Sequence, residues 1–423
     1  MKVLHIGFNV NGGAGLGMYR LHRDLLARGI DSRILCARRD TDDPTVFELP
    51  EDIKTLGARR NAFAALLNKF RIRTNSYFAA NRMVSVLKGK YGKTVSSPYS
   101  LYPVEECELV READVVHLHW VSNFVNLPSF MATVGKPVVW TIRDENPLLG
   151  FWHFASDMPK KLPMKEKWAE KGLRSAKIRA IQSCRTLAFA SLSTGMDKKL
   201  AKHPIAKGRL RMVVPNSIDG TRFHPADRSV VRREYGIADD VKLLFFVSQT
   251  LNDPRKGLSE LLEAVSSMGR TDLAVLCVGS GKLPPLPKNV RVMFEGRVMD
   301  TERLSALFCA ADLFVTPSHA ETFGKTTTEA LACGTPVVSY PNVGALDIVG
   351  PDDGVLAKDF TAEAFRDAID EALSRRFDPD ALRSRVLERF SPNRVADAYV
   401  DLYGRLLSGA SRGPGTSSRE NLE

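Results

Sequence analysis

Short apolar runs rich in β-branched residues alternate with helix-length amphipathic stretches along this chain, and they do so twice. In the first half the runs fall at residues 2–8, 32–36, 115–119, 137–142 and 186–191. In the second they fall at residues 211–214, 242–247, 274–278, 291–294, 313–316 and 336–339. That alternation belongs to parallel sheets flanked by helices, so the fold class is α/β with two doubly wound, Rossmann-like domains. A length of 423 residues leaves room for both cores.

Pro204, Pro215, Gly220 and Pro225 punctuate a stretch without long periodicity and set the expected boundary. Residues 1–205 form the N-terminal domain and residues 206–390 the C-terminal one. Ser391-Pro392 opens a last helix over residues 391–408, since Ser caps helices and Pro suits their first position; this helix is expected to return to the N-terminal domain. Residues 409–423, rich in Gly, Ser and charge, are expected to be disordered.

The six cysteines are scattered without a CxxC pair, as in a reduced, cytosolic protein without a zinc site. The run at residues 2–8 is interrupted too soon for a secretory signal, and no window approaches the ~18 apolar residues of a spanning helix. The net charge of +11 is uneven. Residues 53–104 hold ten cations (Lys54, Arg59, Arg60, Lys69, Arg71, Arg73, Arg82, Lys88, Lys90 and Lys93) and no acid. Phe63, Leu66, Leu67, Phe70, Tyr77, Phe78, Met83 and Leu87 are interleaved with them. A solvated helical face explains such a run, and so does an anionic membrane surface contacted through residues 54–93, which would place a cytoplasmic protein peripherally on the inner face of a membrane. Nucleic acid is not expected as a partner: no helix-turn-helix, zinc-finger or RNP pattern is present.

The most informative segment runs from Ser318 to Val338 and reads as strand end, loop, helix, turn and strand. The loop carries Glu321 and Gly324. The helix after Gly324 starts at the carboxyl end of a parallel strand, where open α/β domains bind ligands, and its first amides attract phosphate. Glu321 and Glu329 lie eight residues apart, and each carboxylate can accept two hydroxyls of a sugar or a ribose. Taken singly, each acid is as well explained as a solvated or dipole-facing helix residue.

With its surroundings, the pattern Glu-x-Phe-Gly-x-x-x-x-Glu-Ala-x-Ala-x-Gly-x-Pro-Val-Val resembles the donor-binding signature of the retaining GT-B glycosyltransferases of family 4, the "group 1" transferases. Gly12-Gly13-Ala14, the Asp114 to His119 strand, Val214-Pro215-Asn216, Arg255-Lys256-Gly257 and the Ala310 to Ser318 segment follow in that family's order. The resemblance implies a GT-B fold, with two domains facing across a cleft. It implies a hexosyl unit moved from a nucleoside diphosphate sugar, UDP- or GDP-linked, to an acceptor hydroxyl of a glycan or lipid-linked substrate, as in surface polysaccharide or glycolipid synthesis. It places Glu321 on the donor sugar, Glu329 on the ribose and Lys256 on the departing diphosphate, with Phe323, Gly324, Lys325 and Arg255 beside them and Gly13, Ala14 and Gly15 approaching the phosphate. No cofactor besides the donor is implied, and no metal, because no Asp-x-Asp pair ends a strand.

Two departures stand out. The family's usual Arg upstream of Lys256 is Gln249, for which Arg255 is a candidate substitute, and Arg143 occupies a usual His position before Asp144. His119 and Asp144 are candidate catalytic groups at strand ends; Arg143, Trp152 and His153 are candidate acceptor contacts, with loop packing the alternative for Trp152 and His153. Gly12 to Gly17 does not have GxGxxG spacing and reads as a tight turn, and Gly279-Ser280-Gly281-Lys282 lacks the earlier Gly of a P-loop. A GT-B epimerase or phosphorylase, and a catalytically silent sugar-binding module, are the alternatives.

Overall fold

The computed structural model describes residues 1–69 and 76–409. Of these, residues 1–69, 76–192, 196–214 and 395–409 belong to one compact unit, and residues 193–195 and 215–394 to the other. The first sheet contains β1 (Lys2–Gly7), β2 (Asp31–Cys36), β3 (Val46–Glu48), β4 (Val115–Leu118), β5 (Val138–Ile142), β6 (Leu187–Ser191) and β7 (Leu210–Val213), in the order β3-β2-β1-β4-β5-β6-β7. The second contains β8 (Lys242–Thr250), β9 (Leu273–Ser280), β10 (Arg291–Gly296), β11 (Leu313–Thr316), β12 (Val337–Ser339) and β13 (Gly354–Leu356), in the order β10-β9-β8-β11-β12-β13. Every strand pair is parallel. Each sheet reverses its strand order once, at β1/β4 and at β8/β11, and such switch points are where doubly wound sheets bind ligands. The fold is that of the GT-B glycosyltransferases.

The central strands explain the unbroken apolar runs: every residue of β4, β5 and β6 is buried, as helices on both faces require. Two details differ from the sequence reading. The strand at 211–214 was expected in the second domain, but β7 pairs with β6, Ala188 beside Leu210, and completes the first sheet. The boundary therefore falls after residue 214 and not after 205. β3 and β13 went unseen because three residues carry no readable periodicity.

The C-terminal helix Pro392–Leu407 is capped by Ser391, whose Oγ accepts the Arg394 N–H at 3.3 Å. It buries Val395, Ala396, Tyr399, Leu402, Tyr403 and Leu406, a one-sided 3.6-residue stripe. The stripe packs on Val3, Leu21, Leu25, Val115 and Val139 of the first unit. Each large side chain so covered contributes about 1.5–3 kcal/mol.

The acid-free basic window forms helices Glu51–Lys69 and Ser76–Tyr91, and acids from elsewhere in the chain reach it. Lys54 pairs with Glu48 at 2.7 Å, Arg60 with Glu106 at 3.1 Å, Lys90 with Glu166 at 2.8 Å and Lys93 with Asp157 at 3.0 Å. Met83 and Leu87 pack with Phe151 and Trp152, so they belong to the interior and not to an apolar face turned outward. The side chains of Phe63, Leu67, Lys69, Phe70, Arg71 and Arg73, and the tail from residue 410, lie outside the described residues. Among the described residues no helix is long and apolar enough to cross a membrane.

Candidate functional site

In the second unit two loops at neighbouring strand ends are locked together. After β8 the chain turns through Pro254–Lys256, where the Asp253 carboxylate accepts the Arg255 N–H at 3.0 Å. Gly257 then takes φ +74°, and a Cβ there would stand 2.2 Å from the Pro317 carbonyl oxygen, so only glycine lets the two backbones meet. From the loop after β11, the His319 N–H donates to the Arg255 carbonyl at 2.9 Å. The Arg255 guanidinium donates to the Ala320 carbonyl and to Asp253, each at 3.0 Å. Arg255 is therefore a clamp on this loop, which corrects the idea that it stands in for the arginine replaced by the exposed Gln249.

This lock brings the Lys256 ammonium onto the Glu321 carboxylate, both side chains remaining about a quarter exposed, at 22% and 24%. Burial alone would raise the Glu321 pKa. The nearby charges of Lys256 and Arg255, with hydrogen bonds from Lys256 and Ser318, outweigh it and hold the carboxyl below its usual range. Glu321 is ionised at neutral pH.

Gly324, at φ +107°, turns the chain into helix Lys325–Ala332. The first amides of any helix lack an intrahelical acceptor, which suits them to phosphate oxygens. Glu329 is not on a solvated face: its side chain is 4% exposed and lies 3.7 Å from Lys325 Nζ. Phe323, expected among the donor contacts, turns its ring inward, edge-on to Phe390 at 5.4 Å, and so offers no ring face to a ligand. His319 was missed by sequence reasoning. Its ring stacks on Phe360 at 5.7 Å and its Nε2 lies 3.1 Å from Glu260 Oε1, partners too distant in sequence to signal themselves.

In the first unit Gly12 opens helix Gly12–Leu26 directly, which corrects the tight turn. Gly13 is exposed with open space where a Cβ would stand, and Ala14 is half-buried. Gly15 has a packing reason for being glycine: a Cβ would meet the Asn9 carbonyl oxygen at 2.6 Å.

At the β4 and β5 ends, Ser97, His119, Trp120, Arg143 and Asp144 line a small pocket. Arg143 donates to His119 Nδ1 at 3.0 Å. A guanidinium only donates, so neutral His119 carries its proton on Nε2, and that N–H donates to His5 Nδ1 at 2.9 Å. His117 engages Tyr403 and Thr141 through its two nitrogens, each at 2.7 Å. One nitrogen from each of His5, His117 and His119 lies within 4.8 Å of the others, a juxtaposition invisible in sequence because His5 comes from β1. Burial first, then Arg143, keeps His117 neutral; burial, then His117 and Arg143, does so for His119, and burial with neighbouring His117 and His22 for His5. The guanidinium and the occupied nitrogens make this a poor cation site.

Asp144 accepts from His153 at 2.5 Å and Trp120 at 2.8 Å through Oδ2, and from the Asn146 N–H at 3.0 Å through Oδ1. Burial pushes its pKa up, but His153 and these donors bring it below the usual value. Both oxygens tie the loop together, so Asp144 positions the pocket wall. His153 is buried, its other nitrogen 3.0 Å from Ser96 Oγ, and Trp152 is fully buried, edge-on to Tyr91 at 5.6 Å. These two pack the loop and do not stack on a sugar; of the three expected acceptor contacts, Arg143 lines the pocket.

Comparison with known proteins adds a family match in the second unit. A family model described as "Glycosyl transferases group 1" matches residues 241–375. The match lies wholly within the second unit. A D-inositol 3-phosphate glycosyltransferase of Geodermatophilus obscurus is 34% identical over 226 residues, covering 49% of this chain and 50% of that protein. That of Mycolicibacterium smegmatis is 31% identical over 221 residues, covering 49% and 50%. The chain thus spans about half the length of the curated relatives it matches. Solved structures extend the likeness in fold across both units. Sucrose-phosphate synthase from Thermosynechococcus elongatus aligns at TM-score 0.60 and 18% identity, over 97% of this chain and 100% of that one. Anabaena HepE in complex with UDP-glucose aligns at 0.62 and 16%, over 96% and 99%. The matched stretch contains both interlocked loops and the helix that follows Gly324.

Proposed function

We propose that this protein is a retaining glycosyltransferase that moves a hexosyl unit from a nucleoside diphosphate sugar to an acceptor hydroxyl. The observation that carries the reading is the Lys256–Glu321 ion pair, held by the interlocked loops beside the Gly324 helix start. When donor arrives, its diphosphate takes over Lys256 and the helix amides, which releases Glu321 to accept sugar hydroxyls. Lys256 then balances the charge that grows on the leaving diphosphate, an electrostatic stabilisation that strengthens toward the transition state. The leaving phosphate accepts the acceptor proton on the same face of the sugar, so no enzyme nucleophile is needed. Buried Glu329 takes the ribose hydroxyls, and the reaction proceeds without a metal ion.

The donor we favour is a UDP-sugar, in keeping with a fold neighbour solved with UDP-glucose. The relatives' names and the Arg143 guanidinium in the pocket support a phosphorylated polyol as acceptor ahead of a glycan or lipid-linked one. The cytoplasmic face of a membrane at residues 54–93 is a weaker proposal, because four of its ten cations already have partners within the chain.

A thermal-shift screen of UDP-, GDP- and ADP-sugars, followed by nucleotide-release assays with and without inositol phosphate and with EDTA, tests the reading. Acceptor-dependent release that survives EDTA and is lost in Glu321→Ala is expected. Acceptor-independent release would point to an epimerase or phosphorylase, and saturable binding without turnover to a sugar-binding module.

A further inference from the structure

Two cysteines of the second unit end adjacent helices. Cys309 lies in the last turn of helix Thr301–Ala310, and Cys333 caps helix Lys325–Ala332. Cys309 reaches the His224 carbonyl and Cys333 the Ser305 hydroxyl, two groups hydrogen-bonded to each other at 3.3 Å. Cys309 Sγ lies 3.3 Å from the His224 carbonyl oxygen and 3.8 Å from that of Cys333, while the Ser305 hydroxyl sits 3.3 Å from Cys333 Sγ. Cys309 is partly exposed and Cys333 is buried.

The surroundings divide the labour. The Cys333 thiol, the Ala226 N–H and nearby His224 all favour negative charge on Cys309 and lower its pKa against the effect of burial. The Cys309 sulfur and burial raise Cys333, which keeps its proton. The other four cysteines, Cys36, Cys107, Cys184 and Cys277, are buried and raised by desolvation. The accessible Cys309 sulfur therefore sits beside a buried thiol able to resolve it, the arrangement of redox-responsive cysteines.

We infer that Cys309 and Cys333 are a peroxide-sensitive modification site, closed by hydrogen peroxide into a disulfide between the two helices. The Cys309 thiolate attacks one peroxide oxygen: an S–O bond forms, the O–O bond breaks, hydroxide leaves, and sulfur is oxidised by two electrons as peroxide is reduced. The Cys333 sulfur then attacks Cys309 sulfur and forms the S–S bond; the sulfenic oxygen departs as water with the proton Cys333 held. Two thiols and one peroxide give one disulfide and two waters. The Cys333 N–H donates to the Glu329 carbonyl at 3.2 Å, so closure loads the turn that presents Glu329. Any effect on donor affinity rests on the function proposed above; the chemistry does not.

The test treats the full chain with hydrogen peroxide and maps peptides by mass. A Cys309–Cys333 cross-link that dithiothreitol reverses is expected in the wild type. Cys333→Ser should stop at a Cys309 sulfenic acid that dimedone captures, and Cys309→Ser should take up no oxidant at Cys333. On unmodified wild type at neutral pH, iodoacetamide should alkylate Cys309 about tenfold faster than any other cysteine. Equal alkylation of all six cysteines, oxidation that spares Cys309, or Cys309→Ser oxidised as fast as wild type would each overturn the site. If the site forms but UDP-sugar binding does not change, only the link to Glu329 fails.

Discussion

Lys256 and Glu321 are worth more to the reaction than to the fold. Both are partly exposed, so their pair contributes within ~1 kcal/mol to stability. Lys256→Met should leave the melting curve nearly unchanged while turnover falls about 10²-fold, as measured by initial rates and calorimetry. Lys177 is the opposite case. It is fully buried, its Nζ donates to the Asn146 carbonyl and Oδ1 at 2.8 Å each, and burial pushes its pKa down to about 7. The unfolded chain therefore holds this proton from pH ~7 to ~10.4 while the folded chain has lost it, and stability rises with pH across that window. Urea unfolding between pH 7 and 9 should show a gain of about 2 kcal/mol that Lys177→Met abolishes. Glu321, Gly324 and Glu329 were legible in sequence because one short segment carries them. The partners that decide what Glu321 does, Lys256 and Arg255, come from 65 residues upstream and were ordered only by resemblance.

Among the elements, the parallel strands announced themselves through unbroken burial, whereas short or glycine-rich pieces did not. Gly12 to Gly17 looked like a turn because glycine is a helix breaker by propensity. Gly15 is helical all the same, since a side chain there would strike the Asn9 and Val10 backbone. Gly257 holds the two site loops in contact. Gly257→Ala sets a Cβ against the Pro317 oxygen at a positive φ, and should cost the second unit at least ~2 kcal/mol and weaken UDP-sugar binding together, read by denaturation and titration calorimetry. The C-terminal helix depends on two hydroxyls as well as its apolar stripe, because Tyr403 satisfies His117 and Tyr399 lies 2.9 Å from Thr141 Oγ1. Tyr403→Phe strands a buried imidazole nitrogen and should cost about 1–3 kcal/mol by urea unfolding.

For the whole molecule, acid is the expected weakness. Burial depresses His5, His117 and His119 well below 6.5 and lowers His22 and His203 to about 4. The unfolded chain takes up these protons first, so the histidines' contribution to stability is complete above pH ~6.5 and falls below it, by up to about 1.4 kcal/mol per pH unit for each ring. Glu321 and Asp144 are lowered too, but their contribution fades only below the ordinary carboxylate range near pH 4. Unfolding midpoints should therefore drop steeply between pH 6.5 and 4; a flat profile there would contradict the neutral histidine cluster. The helix that shields those rings also has a consequence for synthesis on the ribosome. Val3, Leu21 and Val115 wait for Val395, Tyr399 and Leu402, so the unit translated first is the one that finishes folding last, after the whole of residues 215–394 has emerged. Until then its sheet carries an uncovered greasy face, and a nascent chain stalled at residue 394 should be a chaperone client even though the second unit is already made.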